Sequence, residues 1–226
     1  SAGLIGLKIK FSPAQVVSFV NDAIAALPNT ECAVRLVQTG GVSPDSLTPI
    51  GNGRLNIIVK PAHDMPAAWY TDGATVKSFV VERFLPEAKT INYLMAIMAG
   101  QTAKAAGAIE AVYVTRENRQ VLEGATSNIA FIKDRRLIVP DKDILDGITM
   151  KALLDAAEKI YPVERRSIYE HEIAVMDEMI LCSSNREVVP IVKFDDHIFG
   201  DGTPGPGSKD LMQIFHRETR NNPEGS

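Results

Sequence analysis

The 226 residues predict an α+β chain in two parts. Three observations carry that reading. Helix starts and stops frame three apolar stripes of helical period. Short β-branched runs, bounded by Gly, Asn, Asp and Pro, fill most of the remainder. A Pro-containing stretch near Pro86 separates a first α+β unit from a longer part in which strands dominate.

Ser12-Pro13-Ala14-Gln15 reads as a helix start, with Ser12 as cap, Pro13 in the first turn and Gln15 completing a capping box. Val16, Val20, Ala23, Ile24 and Leu27 then recur at helical spacing, and Pro28-Asn29 ends the run. Ala33 to Val37, Leu55 to Val59 and Val76 to Val81 read as strands, with Gly40 to Asp45 as a loop. Thr90 to Ala106 is expected to be a helix, with Ile91, Leu94, Met95 and Met98 on its core face and Gly107 as its stop. Ala111 to Thr115, Gln120 to Leu122, Asn128 to Lys133 and Leu137 to Val139 read as hairpin strands. Thr149 to Ile160 is a second long helix, with Leu153, Leu154, Ala157 and Ile160 inward. Met179 to Cys182 and Val188 to Phe194 are strands flanking Ser183-Ser184-Asn185, and Asp195-Asp196-His197 is a hairpin turn. A rigid Pro204 to Gly207 loop precedes a last helix, Ser208 to Thr219, and a frayed tail from Asn221. The domain expectation is residues 1–85 and residues 86–226.

Composition excludes several function classes. The chain is 45% hydrophobic and 23% charged, with net charge −4 and pI near 5.6. A nucleic-acid footprint would need a clustered basic surface, and the main cluster, Lys133, Arg135 and Arg136, lies between apolar runs as in a solvated hairpin. No apolar run approaches the roughly 20 residues of a membrane span, and nothing reads as a signal peptide. Cys32 and Cys182 sit in apolar runs, as buried free thiols do in a reducing, cytoplasmic setting. No spacing suggests a metal site. The opening Ser1-Ala2-Gly3 does not resemble a natural start, and the first Met is Met65, so the chain is expected to lack its true N-terminus.

Four motifs carry chemistry. Lys89 stands in Leu85-Pro86-Glu87-Ala88-Lys89-Thr90-Ile91-Asn92-Tyr93, where an extended segment passes into a helix. Downstream come Glu123-Gly124-Ala125-Thr126-Ser127-Asn128, then Gly147-Ile148-Thr149, then Ser183-Ser184-Asn185. Singly, each has an ordinary reading: an exposed lysine, a turn, a helix cap, a loop. Together, a lysine, an acid and two small-hydroxyl turns are the parts that hold pyridoxal phosphate. The lysine closes a Schiff base, the acid keeps the pyridine nitrogen protonated, and the turns hold the phosphate by N–H groups and hydroxyls.

In that order and spacing the motifs resemble the class IV, or fold-type IV, pyridoxal-phosphate aminotransferases, over nearly all of residues 1–220. That family holds D-amino-acid and branched-chain aminotransferases and aminodeoxychorismate lyases. The resemblance implies a two-domain fold: a small N-terminal α/β sandwich and a larger C-terminal β-barrel-like domain with helices. It implies Lys89 as the internal-aldimine lysine and Glu123 as the partner of the ring nitrogen. It places Ile148 and Thr149 in one phosphate turn, Ser183 and Ser184 in the other, and Thr126 near the ring. It implies pyridoxal 5'-phosphate as cofactor, amino-acid and 2-keto-acid substrates, and a homodimer.

The chain departs from the family pattern in three places. The earliest strands and first helix, which ordinarily supply an arginine to the phosphate, are missing. Gly-Ile-Thr is followed by Met150 rather than arginine. Gly40 stands where some D-amino-acid enzymes carry a carboxylate-binding arginine, which leaves Arg35 as a structural strand residue. The stretch from Val34 to Asp45, with Lys89 to Tyr93, looks most like a less usual D-amino-acid aminotransferase subgroup. The alternatives are a branched-chain aminotransferase, the carbon–carbon lyase, or a non-catalytic binding protein if the N-terminal segment is truly absent.

Overall fold

The computed structural model describes residues 1–27 and 31–221, with the side chains of residues 220 and 221 left aside; the expected stop at Pro28-Asn29 lies outside the described residues. Contacts group the chain into two compact units, Ser1–Asp64 with Ala88–Ile91, and Met65–Glu87 with Asn92–Ser226.

The first unit holds one long helix, α1 (Pro13–Ala25), and an antiparallel pair, β1 (Cys32–Thr39) and β2 (Arg54–Pro61). Helix α1 starts as its sequence requires. Ser12 Oγ accepts from Gln15 N, and Gln15 Oε1 accepts from Ser12 N at 2.9 Å. The stripe Val16, Val20, Ala23, Ile24 and Leu27 forms its half-buried face. Arg35 lies on β1 opposite Ile58. The loop between the strands is tied by Asp45, whose carboxylate accepts from Ser43 Oγ, Leu47 N and Thr48 N and is held well below the usual carboxylate range by the Ser43 bond first.

The second unit begins with a short helix, α2 (Ala68–Thr71), and β3 (Ala74–Val80), followed by α3 (Leu94–Ala105). Strands β4 (Glu110–Val114), β5 (Gln120–Gly124), β6 (Asn128–Lys133) and β7 (Arg136–Val139) lead to α4 (Ile148–Ala157). Then come β8 (Val163–Arg165), β9 (Ile168–Tyr169), β10 (Glu178–Ser183), β11 (Glu187–Phe194), β12 (His197–Ile198) and α5 (Pro206–Asn221). The described strands join in one mixed sheet, in the order β8-β7-β6-β10-β11-β3-β4-β5-β9, with β12 on β11. Strand β3 is parallel to both β4 and β11, and this takes it out of the first unit. The grouping therefore differs from a division at residue 85.

Strands β4, β5 and β6 are buried almost throughout because both faces of the sheet are covered. One face packs Val112, Val121, Ile129, Phe131, Met179 and Leu181 together. The alternate residues, such as Ala130, Ile132, Ile180 and Cys182, pack under α4 and α5. Burial pushes the Cys182 thiol up to about 12, so it is an inert core group; Cys32 is half-buried.

Two helix expectations change. Helix α3 begins at Leu94 rather than Thr90, and it turns Ala99 and Ala103 to the sheet. Leu94 and Met98 are 63% and 47% exposed, and only Met95 of the expected face packs on the core. Alanine lets the backbone approach the sheet, and that outweighs the larger stripe. Helix α4 stops at Ala157, and Ile160 is exposed while Tyr161 turns inward, its OH donating to Asp210 Oδ2 at 3.0 Å. Gly107 ends the α3 region at φ +71°, where a residue without Cβ carries no penalty.

Other local expectations match. Asp134 and Arg135 both take positive φ in the β6–β7 turn, the twist a two-residue hairpin wants. Helix α5 is capped from outside by Glu178, whose carboxylate accepts from Gly207 N and Ser208 N at 2.8 Å each. Asp195 sits at φ +52° after β11, and its carboxylate accepts from Ser78 N at 2.9 Å and pairs with Lys77 Nζ at 2.8 Å. It thereby clasps β3 to β11.

Burial pulls the Asp195 carboxyl up, but the bonds from Lys77 and Ser78 outweigh it and the net shift is downward. A depressed folded-state value means stability that is present above the ordinary carboxylate range and lost as pH falls through the folded value. Asp195→Asn keeps the turn geometry and removes the charge. It is expected to cost about 1–2 kcal/mol at pH 7. Urea melts should show that gap closing as pH falls below the ordinary carboxylate range; an equal loss at pH 7 and at the acid end would mean the charge is idle.

Candidate cofactor site

The site in the second unit is built where β5 turns into β6. Glu123 stands one residue before the end of β5, almost fully buried at 4% exposed. Its Oε2 accepts from Leu145 N at 3.1 Å and from Asn128 Nδ2 at 3.3 Å. Asn128 Nδ2 also donates to Leu145 O at 2.8 Å. Glu123 Oε1 pairs with Arg83 Nη2, which also donates to Pro86 O at 3.1 Å. The guanidinium lies over the Tyr113 ring, 5.6 Å from its centroid, and its Nε is buried without a hydrogen-bond partner among the described residues. Burial pushes the Tyr113 hydroxyl up to about 12, with Arg83 working against it.

Asn128 also fixes the turn at Gly147. A Cβ at Gly147 would run into the Asn128 amide, so only glycine lets the chain pass there. Gly147 is the N-cap of α4 and brings no capping side chain, which leaves the N–H groups of the first turn directed at whatever lies beyond. Thr149 Oγ1 and Ser184 Oγ stand 3.2 Å apart, so the two hydroxyl turns meet at that helix start. Ile148 is 79% exposed beside them. Ser183 ends β10, and its carbonyl accepts from Arg186 N at 3.2 Å to close the second turn.

These donors fit an anionic group on one side and a protonated ring nitrogen on the other. Uncapped N–H groups and paired hydroxyls suit a phosphate; a buried carboxylate oriented by two donors suits a cation. Arg83 already occupies the same carboxylate, so a ring nitrogen would share it with a guanidinium.

Of the residues singled out from sequence, Glu123, Thr126, Ile148, Thr149, Ser183 and Ser184 fall in the second unit. Thr126 is committed elsewhere, its Oγ1 donating to Glu110 Oε2 at 2.7 Å. Lys89 belongs with the first unit, exposed, its backbone N–H donating to Ser1 Oγ at 2.8 Å. Its approach passes through Leu85 at φ +55°, uncommon for a residue with a side chain. The sequence reading missed Arg83, Asn128, Glu110 and Arg186. Asn128 had a signal, since it closes the Glu123 motif. The arginines are single charges beside apolar strands, and only the fold shows which carboxylates they meet.

Comparison with known proteins places the chain. Residues 1–194 match the model of the amino-transferase class IV family. A probable branched-chain-amino-acid aminotransferase of Thermotoga maritima is 39% identical over 101 residues, 43% of this chain and 37% of that protein. A D-alanine aminotransferase of Bacillus licheniformis is 28% identical over 94% of this chain and 76% of its own length. The fold matches a branched-chain amino acid aminotransferase of Thermobaculum terrenum in its PLP form, with TM-score 0.82 and 22% identity, over 96% of this chain and 73% of that one. It also matches a putative 4-amino-4-deoxychorismate lyase of Legionella pneumophila, with TM-score 0.84 and 22% identity, over 96% and 81%.

The Gly147–Asn128 contact can be tested alone. Gly147→Ala is expected to cost about 1–3 kcal/mol through overlap with the amide. The double variant with Asn128→Ala should lose less than the two single losses added, because the smaller side chain removes the overlap. Denaturant titrations of all four proteins measure this; strict additivity would place the strain elsewhere. The geometry, the family match and the shared fold agree that this chain belongs to the class IV aminotransferases.

Proposed function

We propose that the chain is the cofactor-bearing part of a pyridoxal 5'-phosphate-dependent aminotransferase that moves an amino group between an amino acid and a 2-keto acid. The observation that carries this is the meeting of Thr149 and Ser184 at the glycine-capped start of α4, with Glu123 fixed through Asn128 beside it. When bound, pyridoxal phosphate supplies an electrophilic carbon and a ring that withdraws electrons from the substrate's α-carbon.

The chain's own residues do the rest. Lys89 would hold the cofactor through Nζ, and its free amine would take the proton from the substrate's α-carbon. Glu123 would keep the proton on the ring nitrogen, with Asn128 and Leu145 N–H aiming the carboxylate. The first-turn N–H groups of α4, with Thr149, Ser183 and Ser184, would hold the phosphate. Thr126 acts behind this shell, through Glu110.

Likeness to D-alanine aminotransferase over 94% of the chain favours a D-amino acid as donor. A homodimer agrees with the apolar side chains that α3 leaves exposed, Leu94, Ile97 and Met98. No helix of the described residues is long and apolar enough to cross a membrane, and the buried thiol of Cys182 suits the cytoplasm.

Two experiments test the reading. Borohydride reduction of cofactor-loaded protein should leave pyridoxyl on the Lys89 peptide; a label on another lysine overturns the assignment. Glu123→Gln should lose turnover by roughly 100-fold while cofactor affinity changes far less, since the charge matters most as electrons flow into the ring. Normal turnover with weakened binding would reduce Glu123 to a structural anchor. A stereo-resolved amino-donor screen then decides the substrate.

A further inference from the structure

A second buried carboxylate stands behind the site. Glu110 opens β4, 4% exposed. Its Oε2 accepts from Thr126 Oγ1 at 2.7 Å, Ser127 Oγ at 3.4 Å and Arg186 Nη1 at 2.5 Å. Thr126 and Ser127 form the turn that follows Glu123. Arg186 closes the turn that contains Ser183 and Ser184. One carboxylate thus touches the turn after Glu123 directly and the Ser183-Ser184 turn through Arg186, from a strand that supplies none of the assigned cofactor residues.

The surroundings show that this placement is fixed. A Cβ at Gly124 would meet Ser127 Oγ and stand 3.2 Å from Glu110 Cγ, which explains a glycine directly after Glu123. The Arg186 guanidinium lies over the ring of Trp69, 5.7 Å from its centroid, and Arg186 O accepts from Tyr70 OH at 3.0 Å. Arg186 is itself only 20% exposed. A buried ion pair of this kind adds little net stability, and its recurring use is to fix one arrangement among several.

We propose that Glu110 is a positioning residue for the cofactor site. Through Arg186 it sets where Ser184 stands relative to Thr149, and through Thr126 and Ser127 it sets the turn that follows Glu123. This rests on the cofactor reading given above. Arg186 is a strut in this scheme and not a ligand of the phosphate.

Paired titrations with pyridoxal phosphate and with pyridoxal, which lacks the phosphate, separate the possibilities. The unaltered protein should prefer the phosphorylated form. Glu110→Gln keeps acceptors for the two hydroxyls and removes the ion pair. It should lose roughly tenfold or more in affinity for pyridoxal phosphate, while pyridoxal affinity stays within about twofold. The fluorescence of Trp69, the only tryptophan, should change as Arg186 leaves it. Should Glu110→Gln fail to fold, Arg186→Met breaks the same pair from the other side and should show the same phosphate-selective loss.

Equal losses for both ligands would make Glu110 merely structural. Tighter phosphate binding in Glu110→Gln would mean a freed Arg186 acts as a ligand, and the proposal falls. An unaltered protein with no preference for the phosphorylated form sinks the phosphate cradle itself, and the inference with it.

Discussion

The turn from β5 to β6 is the constraint on which the second unit depends. Gly124 and Ser127 face each other as a bridge, so β5 passes into β6 within three residues. In the sheet these strands are not neighbours: the order between them runs β6-β10-β11-β3-β4-β5. A sheet whose fifth-removed strands are joined by so short a link must curl until its ends approach. Twist and bulges supply the curvature, and register breaks occur in β11 and in the β4–β5 pair. The result is the barrel-like body that the family resemblance implies, with an apolar interior lined by Val112, Ile129, Phe131 and Leu181.

The curl also explains where the charges are. At the closure, strand ends from distant places in the sheet converge with side chains that cannot all reach water. Glu123 and Glu110 are both 4% exposed there, and each meets one arginine. An unpaired buried carboxylate is far more costly than one with several donors. The two pairs differ in their surroundings. Glu123 opens onto the Gly147 helix start through Asn128. Glu110 is enclosed by hydroxyls, and its arginine lies against an aromatic ring. The first arrangement leaves a carboxylate beside a helix start without a capping side chain; the second locks two turns together.

Much of this was legible in the sequence, and the reasons are local. The capping box at Ser12 and Gln15, the Asp134-Arg135 hairpin and the glycine stop at Gly107 depend on residues within a few positions, and all stand as read. The four chemical motifs carried the family because their order survives without three-dimensional information. Faces that depend on a distant neighbour were harder. The α3 stripe was read toward the large side chains, whereas the sheet accepts Ala99 and Ala103. Ile160 fits the helical period, but the helix ends before it and Tyr161 takes the buried place. Strand β3 looked like part of the first unit because chain order cannot show that its partners are β4 and β11.

The same limit applies to Arg83 and Arg186. Each is a lone cation near a turn, indistinguishable by composition from the solvated Arg135. What separates them is the carboxylate at the far end of a long-range bond: Arg83 reaches forty residues along the chain to Glu123, and Arg186 reaches back seventy-six to Glu110. A sequence motif records groups that chemistry requires at fixed spacing. The struts behind those groups need only a strand that delivers them, and that strand can come from anywhere in the order. A class IV chain can therefore keep its lysine, acid and hydroxyl turns recognisable while the residues that aim them are set by the curl of the sheet alone.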